Sequence, residues 1–418
     1  MPSPHRCLQA ADIERIVGES CFAPAENGLV GVEHEWLLVR TGEPGAPVDH
    51  PSLRHNVLAA GPLPGGSTIT FEPGGQLELS SPPRRGPQAA CAVMADDLAV
   101  VRSAVARHGV EMVGLGLDPL RYCRRVVDGP RYGAMEAYFD AGGSAGRAMM
   151  CETAAVQVNL DIGTERSQRR RWHLAHRLGP VLLAAFANSP LAHGAPNGWR
   201  SGRAAVWAGI DPTRTDAASA GRGAEPVADW ARYALAAQVM LIKVSEQRFE
   251  PIAGKLPFAR WIDDGHELGF PTVADLEYHF STLFPPVRPR GWLELRMFDS
   301  LPDPWWQVAV AVSAALFDDE EAAERAARAT AATAGLWREA ARHGLGHPAL
   351  AVAAHSCFQT AIEALPRLGA NAATVATTAG FFDRFVARGR CPADDVLDGW
   401  RHHGGLFPLP RPLAASWT

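Results

Sequence analysis

Four short segments of this chain alternate polar and apolar residues with a period of two. In each, the polar positions are dominated by acids or amides. They are "GVEHEWLLV" (31–39), "ITFEPGGQLELSSP" (69–82), "TAAVQVNLDIG" (153–163) and "WLELRMF" (292–298). Residues two apart on a strand project to the same side. Glu33 therefore shares a face with Glu35, Gln76 with Glu78, Gln157 with Asn159 and Asp161, and Glu294 with Arg296. For any one pair the plain interpretation is the solvated face of an antiparallel sheet. Solvated faces usually mix Lys, Thr, Ser and Arg, whereas these four segments contain no Lys and repeat Glu. Carboxylates gathered on one face repel each other unless cations join them. An all-oxygen set suits Mg²⁺ or Mn²⁺, and Mg²⁺ commonly works beside substrate phosphates. The pattern points to a Mg·nucleotide site built on a sheet. No GxGxxG or GxxxxGK[ST] sequence offers a Rossmann or P-loop alternative.

An anionic nucleotide and a carboxylate substrate also need cationic partners, for which Arg is suited by its bidentate geometry. Arg296 lies beside Glu294. "PNGWRSGRAAVWAGIDPTRT" supplies Arg200, Arg203 and Arg214, "GPRYGAM" supplies Arg131, and Arg147 precedes "AMMCET". Taken singly, each of these is an ordinary surface or ion-pair arginine.

The remaining features narrow the class. With 40 Lys+Arg against 45 Asp+Glu, the net charge of −5 argues against a nucleic-acid partner. "QRRRW" (168–172) reads as a solvated helix face. The seven cysteines are odd in number and contain no CxxC, which excludes a disulfide framework or zinc knuckle. Cys151 is expected to be a buried, inert thiol. His343 and His347 stand at i,i+4, but the glycines between them break the helix a zinc site would need. The N-terminus lacks the apolar stretch of a secretory signal. The longest apolar run, 308–317, is too short for a membrane span and reads as a buried core helix. A cytoplasmic protein with no membrane partner is expected.

Along the chain, strands are expected at 28–39, 67–80, 153–161, 240–244 and 292–298. Helices are expected near 10–17, 87–109, 165–188 and 228–240, and through 304–390. Residues 41–66, 131–150 and 194–226 read as loop or irregular chain, and 391–418 as a surface wrap. Strands and helices do not alternate one to one, so the fold class is α+β: one antiparallel sheet with acids on one face and helices on the other. No interdomain linker is visible. The chain reads as a single catalytic domain over 1–418, with a sheet region at about 28–320 and a helical part at about 321–418.

"EPGGQLELS", "MMCETAAVQVNLD", "FANSPLAHGAPNGWRSGRAAVW", "AGKLPF" and "WLELRMFD", in this order from about Leu29 to Asp319, resemble the glutamate–cysteine ligase family, in the branch shared by plants and actinobacteria. The resemblance implies a glutamine-synthetase-like catalytic sheet. It also implies ATP-dependent joining of the L-glutamate γ-carboxyl to the L-cysteine amine, with Mg²⁺ or Mn²⁺ as cofactor. Glu33 and Glu35 of the GxExE motif, with Glu72, Glu78 and Glu294, would be the metal ligands. Arg296, Glu72 and Glu78 would be the catalytic group, Arg296 facing the transferred phosphate or the substrate carboxylate. Arg131, Arg147, Thr153, Gln157, Asn159 and Arg203 would bind substrate. No protein nucleophile is needed, and the Gly-rich stretches 140–148 and 219–226 are candidate lids. After Arg296 this sequence reads "MFDSLPDPWW", where plant members carry Gly-Ala-Asp-Gly-Gly, so the acceptor contacts stay open. The actinobacterial members nearest this form supply γ-glutamylcysteine for ergothioneine synthesis. A ligase with another amine acceptor and a non-catalytic amino-acid- or nucleotide-binding relative are the alternatives. A monomer or homodimer is expected.

Overall fold

The longest alternating segment becomes the centre of the sheet. In a computed structural model, which describes residues 7–59, 61–218 and 225–404, Leu29–Arg40 (β1) runs antiparallel to each strand it pairs with. The other strands, in chain order, are Thr68–Phe71 (β2), Leu77–Ser80 (β3), Arg84–Arg85 (β4), Val110–Val113 (β5), Ala155–Asp161 (β6), the ribbon Leu191–Ala192 (β7) with Ala195–Pro196 (β8), the ribbon Leu241–Ser245 (β9) with Arg248–Pro251 (β10), Val287–Pro289 (β11) and Trp292–Asp299 (β12). The main sheet has the order β11-β12-β6-β1-β3-β2, and β4 and β5 also pair with β1.

The period of two sorts the two faces as the pattern requires. Val30, Val32 and Trp36 of β1, Leu77 and Leu79 of β3, Val156, Val158 and Leu160 of β6, and Leu293 and Leu295 of β12 are all fully buried. Full burial stabilises by roughly 1.5–3 kcal/mol for each such aliphatic side chain. The helices Gly86–Ala106, Gln168–Ala185 and Trp305–Asp318 cover this sheet and join its core. His34 is the polar exception on the apolar face. It stacks on Trp36 at 3.8 Å between ring centroids. Its Nε2 is 3.0 Å from the Ser300 hydroxyl, which donates to the Glu35 carbonyl at 2.6 Å. Because that hydroxyl is already donating, the imidazole is the donor to it. The chain His34–Ser300–Glu35 fixes the backbone from which Glu35 projects.

The Ala-rich C-terminal part is helical, as expected: Glu320–Ala329, Pro348–Ala364 and Ala372–Arg384 follow Trp305–Asp318. Three readings change. The stretch 41–66 contains the helix His50–Leu58, begun by Asp49, which accepts from the Ser52 N–H, with Pro51 in the first turn. The Gly-rich stretch 131–150 folds into the helices Pro130–Asp140 and Ala145–Glu152. Gly146 is needed there because a Cβ would come within 2.2 Å of Phe139. Within 140–148 only the four-residue connection 141–144 lies outside these helices, which offers no long loop for a lid. The other lid segment lies mostly outside the described residues, and the helix Pro226–Ala236 begins at its end. The expected wrap at 391–418 starts as the helix Pro392–His402, and its residues from 405 on also lie outside the described ones. No described helix is long and apolar enough to cross a membrane.

Candidate active site

The polar face of the sheet assembles by register. Glu35 lies directly opposite Glu78, and Glu33 is flanked by Ser80 on β3 and Gln157 on β6. Glu294 of β12 lies opposite Asn159. A bulge in β12 between Leu295 and Phe298 takes Arg296 out of the regular ladder. Over this face opens a cavity of about 720 Å³, lined by Glu33, Glu35, Glu72, Glu78, Gln157 and Arg296 among others.

Glu72 is not on a strand. It is held over the sheet by the turn Glu72–Gln76, in which Gly75 N–H donates to the Glu72 carbonyl at 2.8 Å and Glu72 N–H to the Gln76 carbonyl at 2.9 Å. Both glycines are dictated by space. A Cβ on Gly74 would sit 2.1 Å from the Cys151 carbonyl oxygen, and one on Gly75, at φ +88°, would sit 2.1 Å from the His50 ring. Gln76 is buried, and its amide donates to the carbonyls of Thr153 (2.8 Å) and Met150 (3.4 Å). These contacts answer why the Pro-Gly-Gly turn carries an amide: Gln76 fastens the Glu72 turn to the helix Ala145–Glu152.

The carboxylates keep oxygens facing the cavity while a few donors orient them. Asn159 donates to Glu33 at 2.9 Å. Gln157 Nε2 (3.2 Å) and the Ala155 N–H (2.9 Å) donate to Glu35. Thr70 and Ser80 donate to Glu78 at 2.8 and 3.0 Å. Burial pushes the Glu35 carboxyl well above the usual range, and the charges of Glu72 and Glu78 push it further. Burial and the Glu78 charge raise Glu72 to about 7. Burial, with the charges of Glu294 and Glu78, raises Glu33. Acids held toward protonation by burial, and further by each other, are acids that a cation would stabilise in their charged form. Among the described residues, no three acid, imidazole or thiol groups form a ready-made metal cage.

Opposite the acids stand arginines. Glu294 is fully buried and its two oxygens receive Arg288 (2.5 and 3.0 Å), Arg290 (3.3 Å) and Arg296 (3.2 Å). Burial alone would raise its carboxyl, but these cations outweigh it and hold the group at about 2. In this structure Glu294, expected as a metal ligand, is engaged by arginines and is not among the residues lining the cavity. The structure uses it to anchor three guanidinium groups, all of which line the cavity. Arg296 also donates to Gln157 Oε1. Arg131 lines the cavity, donates to the Ser281 carbonyl at 3.2 Å and lies over the Tyr278 ring.

Three other expected substrate contacts are placed differently. Arg147 is half-exposed, pairs with Asp140 and Glu136, and does not line the cavity. Arg203 is buried behind it. Its guanidinium donates to the Arg296 carbonyl at 3.0 Å and lies over Trp207, so it braces the bulge rather than reaching a ligand. Asn159 orients Glu33 and lies outside the cavity lining. Thr153 does line the cavity, but its hydroxyl is committed to the Met149 carbonyl at 2.6 Å. Gln157 lines it, as expected.

The cavity residues that the pattern did not single out include Arg288, Arg290, Tyr132, Glu246, Glu277 and an apolar wall with Met135, Met149, Met150 and Trp207. The signal for the first two was available: "VRPR" precedes "WLELR" by a hairpin's length, and Arg288 pairs in register with Glu294. Tyr132 follows Arg131. Burial and the charge of Glu72 raise its phenol to about 12.

Comparison with known proteins agrees with this architecture. The sequence profile of glutamate-cysteine ligase family 2 (GCS2) matches residues 29–409. Glutamate–cysteine ligase EgtA of Mycolicibacterium smegmatis is 44% identical over 386 residues, 91% of this chain and 89% of that protein. The EgtA of Mycobacterium tuberculosis is 42% identical over 395 residues, 91% of this chain and 88% of that protein. A solved bifunctional glutathione synthetase from Pasteurella multocida shares the fold, with a TM-score of 0.52 at 14% identity over 94% of this chain and 51% of that one. A profile match across nearly the whole sheet and helical part, on a cavity with acids on one side and arginines on the other, identifies the chain as a member of glutamate–cysteine ligase family 2.

Proposed function

We propose that this chain joins the γ-carboxyl of L-glutamate to the amine of L-cysteine with hydrolysis of ATP to ADP and phosphate, through γ-glutamyl phosphate as intermediate. The observation that carries the reading is the gathering of Glu33, Glu35, Glu72 and Glu78 with Arg131, Arg288, Arg290 and Arg296 around one cavity. Phosphoryl transfer needs positioning and charge stabilisation more than covalent help from the protein. Here the acids would hold Mg²⁺, whose role when bound is to neutralise the phosphates. The arginines would take the substrate carboxylates and the transferred phosphoryl group. The γ-carboxylate attacks the terminal phosphorus, ADP leaves, and the cysteine amine displaces phosphate from the acyl phosphate. The 720 Å³ cavity falls in the size range of small-molecule sites, and the acyl phosphate requires that water be kept from it.

The relatives named EgtA support γ-glutamylcysteine as the product for ergothioneine synthesis; we propose in addition that the chain acts in the cytoplasm as a single catalytic domain, monomeric or homodimeric. The test is ADP release with ATP, Mg²⁺ and L-glutamate, adding each amino acid or amine in turn. A rise with L-cysteine, with γ-glutamylcysteine identified by mass, is the expected result. A rise with a different amine alone would overturn the acceptor and leave the ligase chemistry. No turnover with any amine would overturn the ligase reading.

A further inference from the structure

Trp292 stands where a polar sheet face has no evident use for a large ring. It shares that face of β12 with Glu294, two residues on, and lies across from Asp161 of β6. It is 37% exposed and does not line the cavity. The hairpin end that carries it is firmly held. Gly291 has φ +80°, the Arg290 N–H donates to the Trp292 carbonyl at 2.8 Å, and the Gly291 N–H donates to the Cys21 carbonyl at 3.0 Å.

The indole is committed on two sides. Its N–H donates to Asn159 Oδ1 at 3.1 Å, and Asn159 Nδ2 donates to Glu33 at 2.9 Å. An indole N–H can only donate, and an ionised carboxylate can only accept. The two ends therefore dictate which way the Asn159 amide points, and turning it over would lose both bonds. Over the ring lies the Arg290 guanidinium, 5.2 Å from the centroid. Arg290 lines the cavity, its side chain is 48% exposed, and its contact with Glu294 is long at 3.3 Å. The ring face is the second restraint on this long side chain. Glu33 and Arg290 are thus both fastened to one residue outside the cavity.

We propose that Trp292 is a positioning residue that sets Glu33 through Asn159 and Arg290 through its ring face. The end of the β11–β12 hairpin then fixes where an acid proposed to hold the metal stands relative to an arginine proposed to take an anionic substrate. The inference rests on the ligase reading only for those two roles. The two arms separate by substitution. Trp292→Phe drops the N–H and keeps a ring under Arg290, whereas Trp292→Leu drops both.

The test compares wild type, Trp292→Phe, Trp292→Leu, Asn159→Ala and the double variant Trp292→Phe with Asn159→Ala. Each is titrated with Mg²⁺ alone by the rise in Tm, and assayed for ADP release with ATP, L-glutamate and L-cysteine. Loss of one neutral hydrogen bond should raise the Mg²⁺ concentration for half the Tm rise about 2–10-fold in Trp292→Phe. Because Asn159 carries that effect, Trp292→Phe should add nothing to it once Asn159 is Ala. Trp292→Leu should also raise the KM for glutamate or ATP about 2–5-fold over Trp292→Phe, the scale of an exposed cation–π pair. A wild-type Mg²⁺ midpoint in Trp292→Phe, the same shift with and without Asn159, or a wild type whose Tm ignores Mg²⁺ would overturn the link to Glu33. Equal KM values in the Phe and Leu variants would overturn the role of the ring face. A Tm lowered in the absence of Mg²⁺, with midpoints and KM unchanged, would make Trp292 a stability residue only and overturn both. Failure of the wild type to release ADP with any amine would sink the ligase reading, while the Mg²⁺ midpoints would still support or overturn the link to Glu33.

Discussion

The replacement Glu72→Gln should make the metal-free protein more stable at neutral and alkaline pH. Glu72 sits at about 7 against an ordinary value of 4.5, chiefly because of burial and then the charge of Glu78. Because the folded-state value is raised, the native protein binds a proton that the unfolded chain releases between those two pH values. Stability is therefore lost as pH rises from about 4.5 through 7, and the gap is worth up to about 3 kcal/mol. The substituted amide mimics the protonated carboxyl and carries no such penalty. At pH 8 without divalent cations, Glu72→Gln should exceed the wild type by up to about 3 kcal/mol, a Tm difference of about 3–4 °C for a chain of this size. The difference should vanish near pH 5. The variant-minus-wild-type comparison matters because burial lowers His50 and His176 to about 4, and these groups add stability as pH rises over the lower part of the same window. Thermal unfolding at pH 5, 6, 7 and 8 in chelator, then in Mg²⁺, reads the effect. Mg²⁺ should raise the wild type at pH 8 and leave the variant nearly unmoved, while ADP release is lost in the variant. A variant less stable than wild type at pH 8 in chelator, or a difference independent of pH, would refute the assignment of Glu72 as an uncompensated acid awaiting a cation.

Two further outcomes test the placement of residues. Arg147→Ala should leave ADP release within about twofold of wild type and stability within about 0.5–1 kcal/mol, since its ion pairs with Asp140 and Glu136 are largely exposed; steady-state kinetics and denaturant unfolding check both. Gly75→Ala should destabilise by about 3 kcal/mol or more and remove activity, because it adds positive-φ strain to a collision with the His50 ring; a denaturant midpoint equal to wild type would contradict the packing described for the turn.

The sheet and its acids were legible because a strand needs only a period of two. Glu33, Glu35, Glu78 and Gln157 fall on one face through nothing more than alternation, and Val32, Trp36, Leu79 and Val158 fall on the other. The role of Glu294 was not legible by the same rule. Its face was right, but its partners depend on Arg288 lying opposite it across the β11–β12 hairpin, and the prolines of "FPPVRPRG" hide that edge strand. Arg147 and Arg203 were both arginines in plausible motifs. Which of them lines the cavity depends on how the helices Ala145–Glu152 and Gly202–Ala208 pack, and neither does. The helices hidden in 131–150 were missed because Gly146 looked like a breaker, when its absent Cβ makes room for Phe139.

Gln157 is where the acid half and the arginine half of the cavity meet. Its Nε2 donates to Glu35 at 3.2 Å, and its Oε1 accepts from Arg296. These two contacts fix the amide's orientation, since a flipped amide would point a donor at a guanidinium and an acceptor at a carboxylate. The side chain couples the position of the acid proposed to hold the metal to that of the arginine proposed to take the phosphate, without adding charge to either. Gln157→Met keeps similar length and removes both links. Glu35 would retain the Ala155 N–H at 2.9 Å, and Arg296 would retain Glu294 at 3.2 Å, so the fold should hold. ADP release should fall about 10–100-fold, the usual scale for losing an orienting partner, with a higher Mg²⁺ requirement as well as a lower kcat. A pure rise in the KM for glutamate with unchanged Mg²⁺ dependence would mean that Gln157 only touches substrate, and the coupling between the two halves would have to run through another residue.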